Sequence, residues 1–464
     1  MSGFSFEEGL ALAQYELLLF AAAFFAIGLL DELAVDALYL WLRLTGRART
    51  RTVESRMERS HQLTGPAAIF IPAWREEAVI ALTIEHALAA WRQPDLRLYV
   101  GCYRNDPATL AAVAKVAAKD SRVRRVVVNA DGPTSKAHCL NMLYRALRQD
   151  ESRAGEPAHM IVLHDAEDMV DPAELAVLDQ AVQDSDFVQL PVLALPRAQA
   201  RWIGGHYSDE FAESHAKTMV VRDAIGASVP GAGVGCAIGR DILRKLAKAN
   251  GGLPFAQASL TEDYELGQRI AALGGTGRFL RVRAGSGRLV ATRAYFPDQL
   301  EAAVRQKTRW THGIALQSWD RLGWHGTLVS RWMMLRDRKG PLAAALLALG
   351  YVLVASTVVG HALAHFDMMR AFALTPTLKW LLLFNLAGLG WRCALRGIFT
   401  GREYGWRQGM LAIPRVMVSN IIAIMSGRRA LAAYFGTLRG AAVVWDKTDH
   451  SAHPAASLSR GAMS

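Results

Sequence analysis

The chain has 464 residues, 52% hydrophobic and 20% charged, with 53 Lys and Arg against 42 Asp and Glu for a formal net charge of +11. That composition excludes a disordered or fibrous chain, and the clustering of the apolar residues argues against a purely soluble one. The positive balance suits an anionic membrane surface or a phosphorylated substrate, but residues 1–42 lack Lys and Arg altogether, which is unlike a nucleic-acid-binding arm.

In chain order, residues 10–30 carry one charge, Glu16, and reach the length of about 20 residues that a span needs. Acidic residues follow in place of a small-residue cleavage site, so 1–42 reads as an anchor and not as a signal peptide. Residues 43–64 read as a basic linker with Arg43, Arg47, Arg49, Arg51, Arg56 and Arg59. In the globular stretch 65–330, strands are predicted at 67–71, 96–103, 123–128, 160–163 and 187–190, and helices at 78–91, 107–119 and 172–182. That alternation predicts an α/β unit with a largely parallel sheet and ligands at the carboxyl ends of its strands.

Two spans are predicted within 331–400. Residues 341–364 contain no Asp, Glu, Lys or Arg, and 376–396 can place Lys379, Arg392 and Arg396 at its ends. Residues 408–427 are apolar but carry Pro414 and Arg415 centrally. Basic residues follow the first span, precede the second and follow the third, which puts those sides in the cytoplasm, the N-terminus in the periplasm and the C-terminus in the cytoplasm. A fourth span would export Arg428, Arg429, Arg439 and Lys447, so 401–450 reads as interfacial or re-entrant helix, and 451–464 as a disordered tail.

Several residue groups sit where strands should end. His164-Asp165-Ala166-Glu167-Asp168 offers two carboxylates one residue apart, which suit a hard divalent cation bridging phosphate oxygens, or an acidic cap ahead of Pro172. Thr261-Glu262-Asp263-Tyr264 offers a helix cap or a general base. In Gln306-Lys307-Thr308-Arg309-Trp310, helical spacing puts 306, 309, 310 and 313 on one face, suited to a diphosphate and a sugar ring or to the bilayer surface. Pro72-Ala73-Trp74-Arg75-Glu76-Glu77, Asn105-Asp106 and Asp131-Gly132-Pro133-Thr134-Ser135-Lys136 read singly as surface turns or ligand loops. Pro230-Gly231-Ala232-Gly233-Val234-Gly235-Cys236 lacks the Lys-Ser/Thr of a phosphate-binding loop and reads as a close-approach loop beside a ligand. Cys102, Cys139, Cys236 and Cys393 show no zinc spacing and read as reduced thiols.

In this order the motifs resemble those of the membrane-bound family 2 glycosyltransferases, the cellulose-synthase-like group, which run D, DxD, TED and QxxRW. Here DxD reads Asp165-Ala166-Glu167, TED reads Thr261-Glu262-Asp263, and QxxRW runs from Gln306 to Trp310. The P-A-x-x-E-E opening is similar to Pro72–Glu77, and K-A-x-x-L-N to Lys136-Ala137-His138-Cys139-Leu140-Asn141. Asn105-Asp106-Pro107-Ala108-Thr109, Asp131-Gly132-Pro133 and Trp445-Asp446-Lys447-Thr448 are similar to the phage adsorption protein B branch, and the resemblance covers about residues 65–450.

The resemblance implies a GT-A, Rossmann-like cytosolic domain and an inverting, metal-dependent hexosyl- or N-acetylhexosaminyltransferase of the bacterial inner membrane. By the same resemblance Asp106 and Asp131 lie near uracil and ribose, with Lys136 and Glu76 also at the nucleotide-sugar. Asp165 and Glu167 hold the diphosphate with Mg²⁺ or Mn²⁺, and Asp263 is the base with Glu262 beside it. Gln306, Arg309 and Trp310 bind acceptor and diphosphate, and the 231–236 loop, Cys236 included, borders the acceptor. Two departures stand out: the second strand lacks the group's usual Asp-Asp-Gly-Ser, and Glu167 is followed directly by Asp168. The implied partners are a UDP-linked donor, a polysaccharide or lipid-linked acceptor, the bilayer and a periplasmic or outer-membrane export partner, with no nucleic acid.

Overall fold

The computed structural model describes residues 6–48, 50–53, 61–366, 374–440 and 453–456. Arg49, Arg56 and Arg59 of the basic linker, and Trp445-Asp446-Lys447-Thr448, lie outside the described residues. The first element, α1 (Phe6–Leu44), is a single 39-residue helix without proline. At about 1.5 Å per residue it is roughly twice as long as a hydrocarbon core is thick, so its charged end projects beyond any span.

The globular half is built on strands β1 (Ala67–Ala73), β2 (Leu96–Tyr103), β3 (Val123–Val128), β4 (Met160–Leu163), β5 (Phe187–Gln189), β6 (Cys236–Gly239) and β7 (Gly277–Phe279). They form one sheet in the order β3-β2-β1-β4-β6-β5-β7, parallel throughout except for β6, which runs antiparallel to β4 and β5. β1, β2 and β4 are buried almost end to end, as parallel strands covered on both faces must be. β3 is an edge and keeps Arg124 and Arg125 exposed, which blocks further pairing. Ile69, Ile71, Val100 and Val162 fill the core on one face, and Phe70, Ile161, Leu163 and Ile238 that on the other.

The predicted alternation therefore stands, with two strands added, β6 and β7. β6 begins at Cys236, inside what the sequence suggests is a ligand loop, and Cys236 pairs with Leu163 and Gln189. Four crossover helices cover the sheet: α2 (Ile80–Ala90), α3 (Pro107–Ala117), α4 (Lys136–Ala154) and α5 (Glu174–Val182). Asp106 caps α3 and Pro107 opens it, while Ser135 caps α4 through the His138 amide. Strand ends and helix starts thus meet along one edge of the sheet.

Further helices close that edge: α6 (Ile203–Glu213), α7 (Glu262–Ala272) and α8 (Leu300–Trp310), with α6 and α8 running on into the wider-turned π-helical segments Ser214–Thr218 and Thr311–Gln317. α9 (Leu328–Arg338), α10 (Gly340–His365), α11 (Pro376–Tyr404) and α12 (Trp406–Leu438) follow. Among the described residues, α1, α10, α11 and α12 are each long and apolar enough to cross a membrane.

α12 continues through Pro414 and touches the globular half along most of its length. Arg415 pairs with Asp209 of α6 at 2.9 Å, both fully buried. Ile422 packs with Ala303 and Val304 of α8, Arg429 pairs with Glu301 at 2.7 Å, and Tyr434 donates to Asp320 at 2.7 Å. Gly205 has to be glycine here, because a Cβ would overlap the Arg415 guanidinium. Part of the expected disordered tail is folded instead: His453 is 2% exposed, with Nε2 at 3.1 Å from the Asp168 carbonyl.

Removing one member of a fully buried ion pair strands the other, which typically costs about 3–5 kcal/mol. Arg415→Met should lower the thermal unfolding midpoint in detergent by several degrees, and Asp209→Leu added to it should restore most of the loss. A double variant as unstable as the single would show that the pair does not hold α12.

Candidate active site

The carboxyl ends of β1 and β4 open into a cleft of about 350 Å³. Its acidic wall is the turn after β4. Asp168 Oδ2 accepts from the Asp165 amide at 2.9 Å and lies 3.0 Å from His164 Nδ1, while His164 Nε2 stands 2.9 Å from Glu174 Oε1. His164, Asp168 and Glu174 are all buried. Burial opposes charge on the imidazole, but Glu174 and Asp168 outweigh it and hold His164 above its usual range, as a cation. The turn is pinned from inside, and the half-buried Asp165 and Glu167 line the cleft.

Lys136, the first residue of α4, reaches across with Nζ 2.5 Å from Asp165 Oδ1 and 3.4 Å from the Gly233 carbonyl. Burial works against its charge, yet Asp165, Glu262 and Asp263 together push its pKa up. Opposite, Asp263 lies in the first turn of α7 and its Oδ1 accepts from the Tyr264 amide at 2.8 Å. A Cβ on Gly233, at φ +82°, would stand 2.7 Å from Asp263 Oδ2 and 3.4 Å from Lys136 Nζ. Only glycine gives the loop that close approach. Burial raises the pKa of both Asp263 and Glu262, and Asp263 adds to the rise at Glu262. Lys136 works the other way on both.

α8 supplies the remaining wall, with Gln306, Arg309 and Trp310 lining the cleft. Gln306 Oε1 is buried with no hydrogen-bond partner among the described residues. Trp310 meets the rings of Tyr207, Phe211 and Phe296 edge-on, at centroid distances of 6.1, 6.3 and 6.4 Å. Lys307 pairs with the cleft-lining Glu210 at 2.6 Å, its ammonium 4.8 Å from the Trp310 ring centroid.

A family model described as glycosyltransferase-like family 2 matches residues 65–313, which take in the acidic turn, the Thr261-Glu262-Asp263 turn and α8. The chain belongs to the family 2 glycosyltransferases. It is 33% identical over 449 residues to bacteriophage adsorption protein B of Escherichia coli K12 and equally to bacteriophage N4 adsorption protein B of Escherichia coli O157:H7. Those alignments cover 91% of this chain and 60% of each relative. A mannosyltransferase from Pyrobaculum calidifontis, solved with GDP-Man and Mn²⁺, matches at TM-score 0.50 and 16% identity, over 86% of this chain and 99% of that one. At that identity the likeness shows a shared GT-A-like fold.

Within this family framework, the structure brings Glu76, Lys136, Asp165, Glu167, Glu262, Asp263, Gln306, Arg309 and Trp310 to one cleft. Three predicted residues sit elsewhere. Asp106 is buried as a helix cap, accepting from the Thr109 amide at 3.3 Å and from the Arg75 amide at 2.6 Å, and so fixes the loop that carries Trp74 and Glu76. Asp131 is 60% exposed and pairs with Arg104 at 2.7 Å. Cys236 is buried in β6, where burial pushes its thiol up, and it does not line the cleft. Gly313 also leaves the predicted face. The chain after Trp310 is π-helical, and the wider turn rotates Gly313 under Thr261.

Sequence reasoning placed Trp74 in a turn or ligand loop but missed the other aromatic residues of the cleft, Tyr103, Phe211, Tyr295 and Phe296. Tyr295-Phe296-Pro297 directly before α8 was the available signal. Among the described residues no three metal-ligating side chains converge. Asp165 and Glu167 give two carboxylates, a donor set that fits a hard divalent cation whose other ligands are phosphate oxygens and water.

The turn separates a cleft-lining carboxylate from its buried support. Asp168→Ala strips a buried cation of one partner and should cost about 3 kcal/mol or more. Glu167→Gln, at a half-buried cleft-lining position, should cost far less stability than Asp168→Ala and weaken Mn²⁺-dependent nucleotide-sugar binding in calorimetry. Equal melting losses for the two variants would contradict this division.

Proposed function

We propose that the chain transfers a sugar, with inversion, from a nucleotide-sugar to a growing exopolysaccharide at the bacterial inner membrane. The observation that carries this reading is the meeting of Lys136, Asp165, Asp263, Arg309 and Trp310 in one cleft. Asp263 Oδ2 takes the proton of an acceptor hydroxyl as that oxygen bonds to the anomeric carbon, while the bond from that carbon to the diphosphate oxygen breaks. One displacement from the opposite face inverts the centre. Burial raises the basicity of Asp263, which suits a group that must accept a proton near neutral pH. Lys136 and Arg309 offset the charge that grows on the departing diphosphate. When bound by Asp165 and Glu167, Mg²⁺ or Mn²⁺ supplies further neutralisation of that diphosphate. Trp310 and Phe296 present an apolar platform to a sugar ring, and the unpartnered Gln306 amide suits a sugar hydroxyl. Trp74 and Tyr103, 5.1 Å apart and edge-on, mark the nucleoside end, for which we propose a UDP-linked donor.

The membrane arrangement is part of the same reading: α1, α10 and α11 span, and α12 lies along the surface. The contacts of α12 with the catalytic half from Arg415 to Tyr434 support this. They extend for about 30 Å, whereas a spanning helix would leave that domain within a turn or two. The N-terminus is then periplasmic, the C-terminus and catalytic domain cytoplasmic, and the product meets an export partner beyond the membrane. A reporter fused after Arg439 should give a cytoplasmic signal, and a periplasmic signal would require α12 to cross.

Asp263→Asn tests the chemistry. It should fold, bind nucleotide-sugar with unchanged affinity, and turn over at least about a hundredfold more slowly. Near-normal transfer would move the base to Glu262. Product length from the wild-type protein separates polymer growth from the addition of one sugar to a lipid carrier.

A further inference from the structure

A second cavity, about 370 Å³, lies apart from the cleft, where the end of α1 meets the end of α11 and the linker strand Arg51–Thr52, which pairs with Val282–Arg283. Its lining holds four guanidinium groups, from Arg43, Arg281, Arg283 and Arg402, and one carboxylate, Glu403. Glu403 Oε1 is already shared by Arg281 and Arg283. Arg43 donates to the Ala48 carbonyl at 3.0 Å and Arg402 lies over the Phe399 ring. Neither has a carboxylate partner among the described residues. Arg281 Nε is buried with no hydrogen-bond partner among the described residues. Three positive charges are therefore in excess around one hole, whose wall is fixed by the edge-on contact of Tyr39 with Phe399 at 5.6 Å. Converging guanidinium groups match the tetrahedral oxygens of a phosphate.

The surroundings say how that phosphate arrives. Tyr39 and Arg43 are one turn apart on α1, and the adjoining face carries Leu40 and Leu44, 58% and 79% exposed. On α11, exposed Ile398 sits one turn before Arg402. A basic hole beside bare apolar side chains, on two helices that are apolar enough to span, suits an amphiphile better than a free anion. We infer that this cavity binds the phosphate headgroup of an anionic phospholipid, with the acyl chains lying against Leu40 and Ile398 on the bilayer side of Arg43 and Arg402.

The test uses the full chain in nanodiscs of phosphatidylcholine with or without phosphatidylglycerol, and reads phosphatidylglycerol retention by native mass spectrometry. Arg43→Gln with Arg402→Gln should lower that retention roughly thirtyfold, about fivefold per arginine. Arg402→Gln alone should give the fivefold step should the double variant not fold. Arg407→Gln, outside the cavity, should behave as wild type. Unchanged nucleotide-sugar binding in the variants keeps this result separate from any failure of the catalytic reading. Equal retention by wild type and the Arg402 variants would overturn the inference. So would inorganic phosphate that binds the detergent-solubilised protein through these arginines with no preference for phosphatidylglycerol over phosphatidylcholine.

Discussion

The ammonium of Lys217, 1% exposed, joins Asp36 of α1 at 2.6 Å to Glu213 at the end of α6 at 2.9 Å. Around it Arg392 reaches Glu32 and Glu213, Arg396 reaches Glu213, and Arg336 and Lys339 both reach Asp31 and Glu32. Four carboxylates meet five basic groups, so the charge nearly cancels and every ion has a partner. Any one of them alone beside a bilayer would be costly. Such a cluster adds little over apolar packing, yet breaking it is expensive. It therefore acts mainly on position: α1, α6, α9 and α11 satisfy all nine charges in one arrangement.

The cleft inherits that arrangement. α6 carries Tyr207, Glu210 and Phe211, which meet Lys307 and Trp310 of α8. α12 backs both helices through Arg415 and Ile422. The sheet fixes the other half, with Asp165 and Glu167 in a turn held by the buried His164–Asp168 contact. Lys136 connects the two halves, since its ammonium pairs with Asp165 and reaches the loop that touches Asp263. The groups that line the cleft are thus set from two sides, one sheet-based and one tied to the long apolar helices.

Much of this was legible in the sequence, because the informative residues sit at strand ends and helix starts, and local pattern locates those well. β2, β3 and β4 fall where alternation put them, and the residues that follow β1 and β4 line the cleft. What escaped depends on contacts between distant segments. Nothing in the sequence separates Glu167 from Asp168; in the fold Asp168 is buried against His164 while Glu167 lines the cleft. Cys236 ends a glycine-rich loop by sequence, but partners more than forty residues away make it a strand. Gly313 moved because a π-helical segment breaks the 3.6-residue period on which a helical face is drawn. Asp106 and Asp131 carry the right charge for ligands, yet one caps a helix and the other pairs with Arg104.

The acidic turn of α1 has a further consequence, for synthesis. Asp31 and Glu32 emerge early, whereas Trp332, Arg336, Lys339 and Arg392, which hold them, lie 301 to 360 residues later. Until the ribosome has delivered those residues, Asp31 and Glu32 lack these partners, and of the cluster only the pairing of Asp36 with Lys217 can tie the first helix to the rest. Contacts this distant in sequence make assembly slow and leave partly built chains exposed. A chain halted before α11 would lack Arg392, leaving Glu32 with only Arg336 and Lys339.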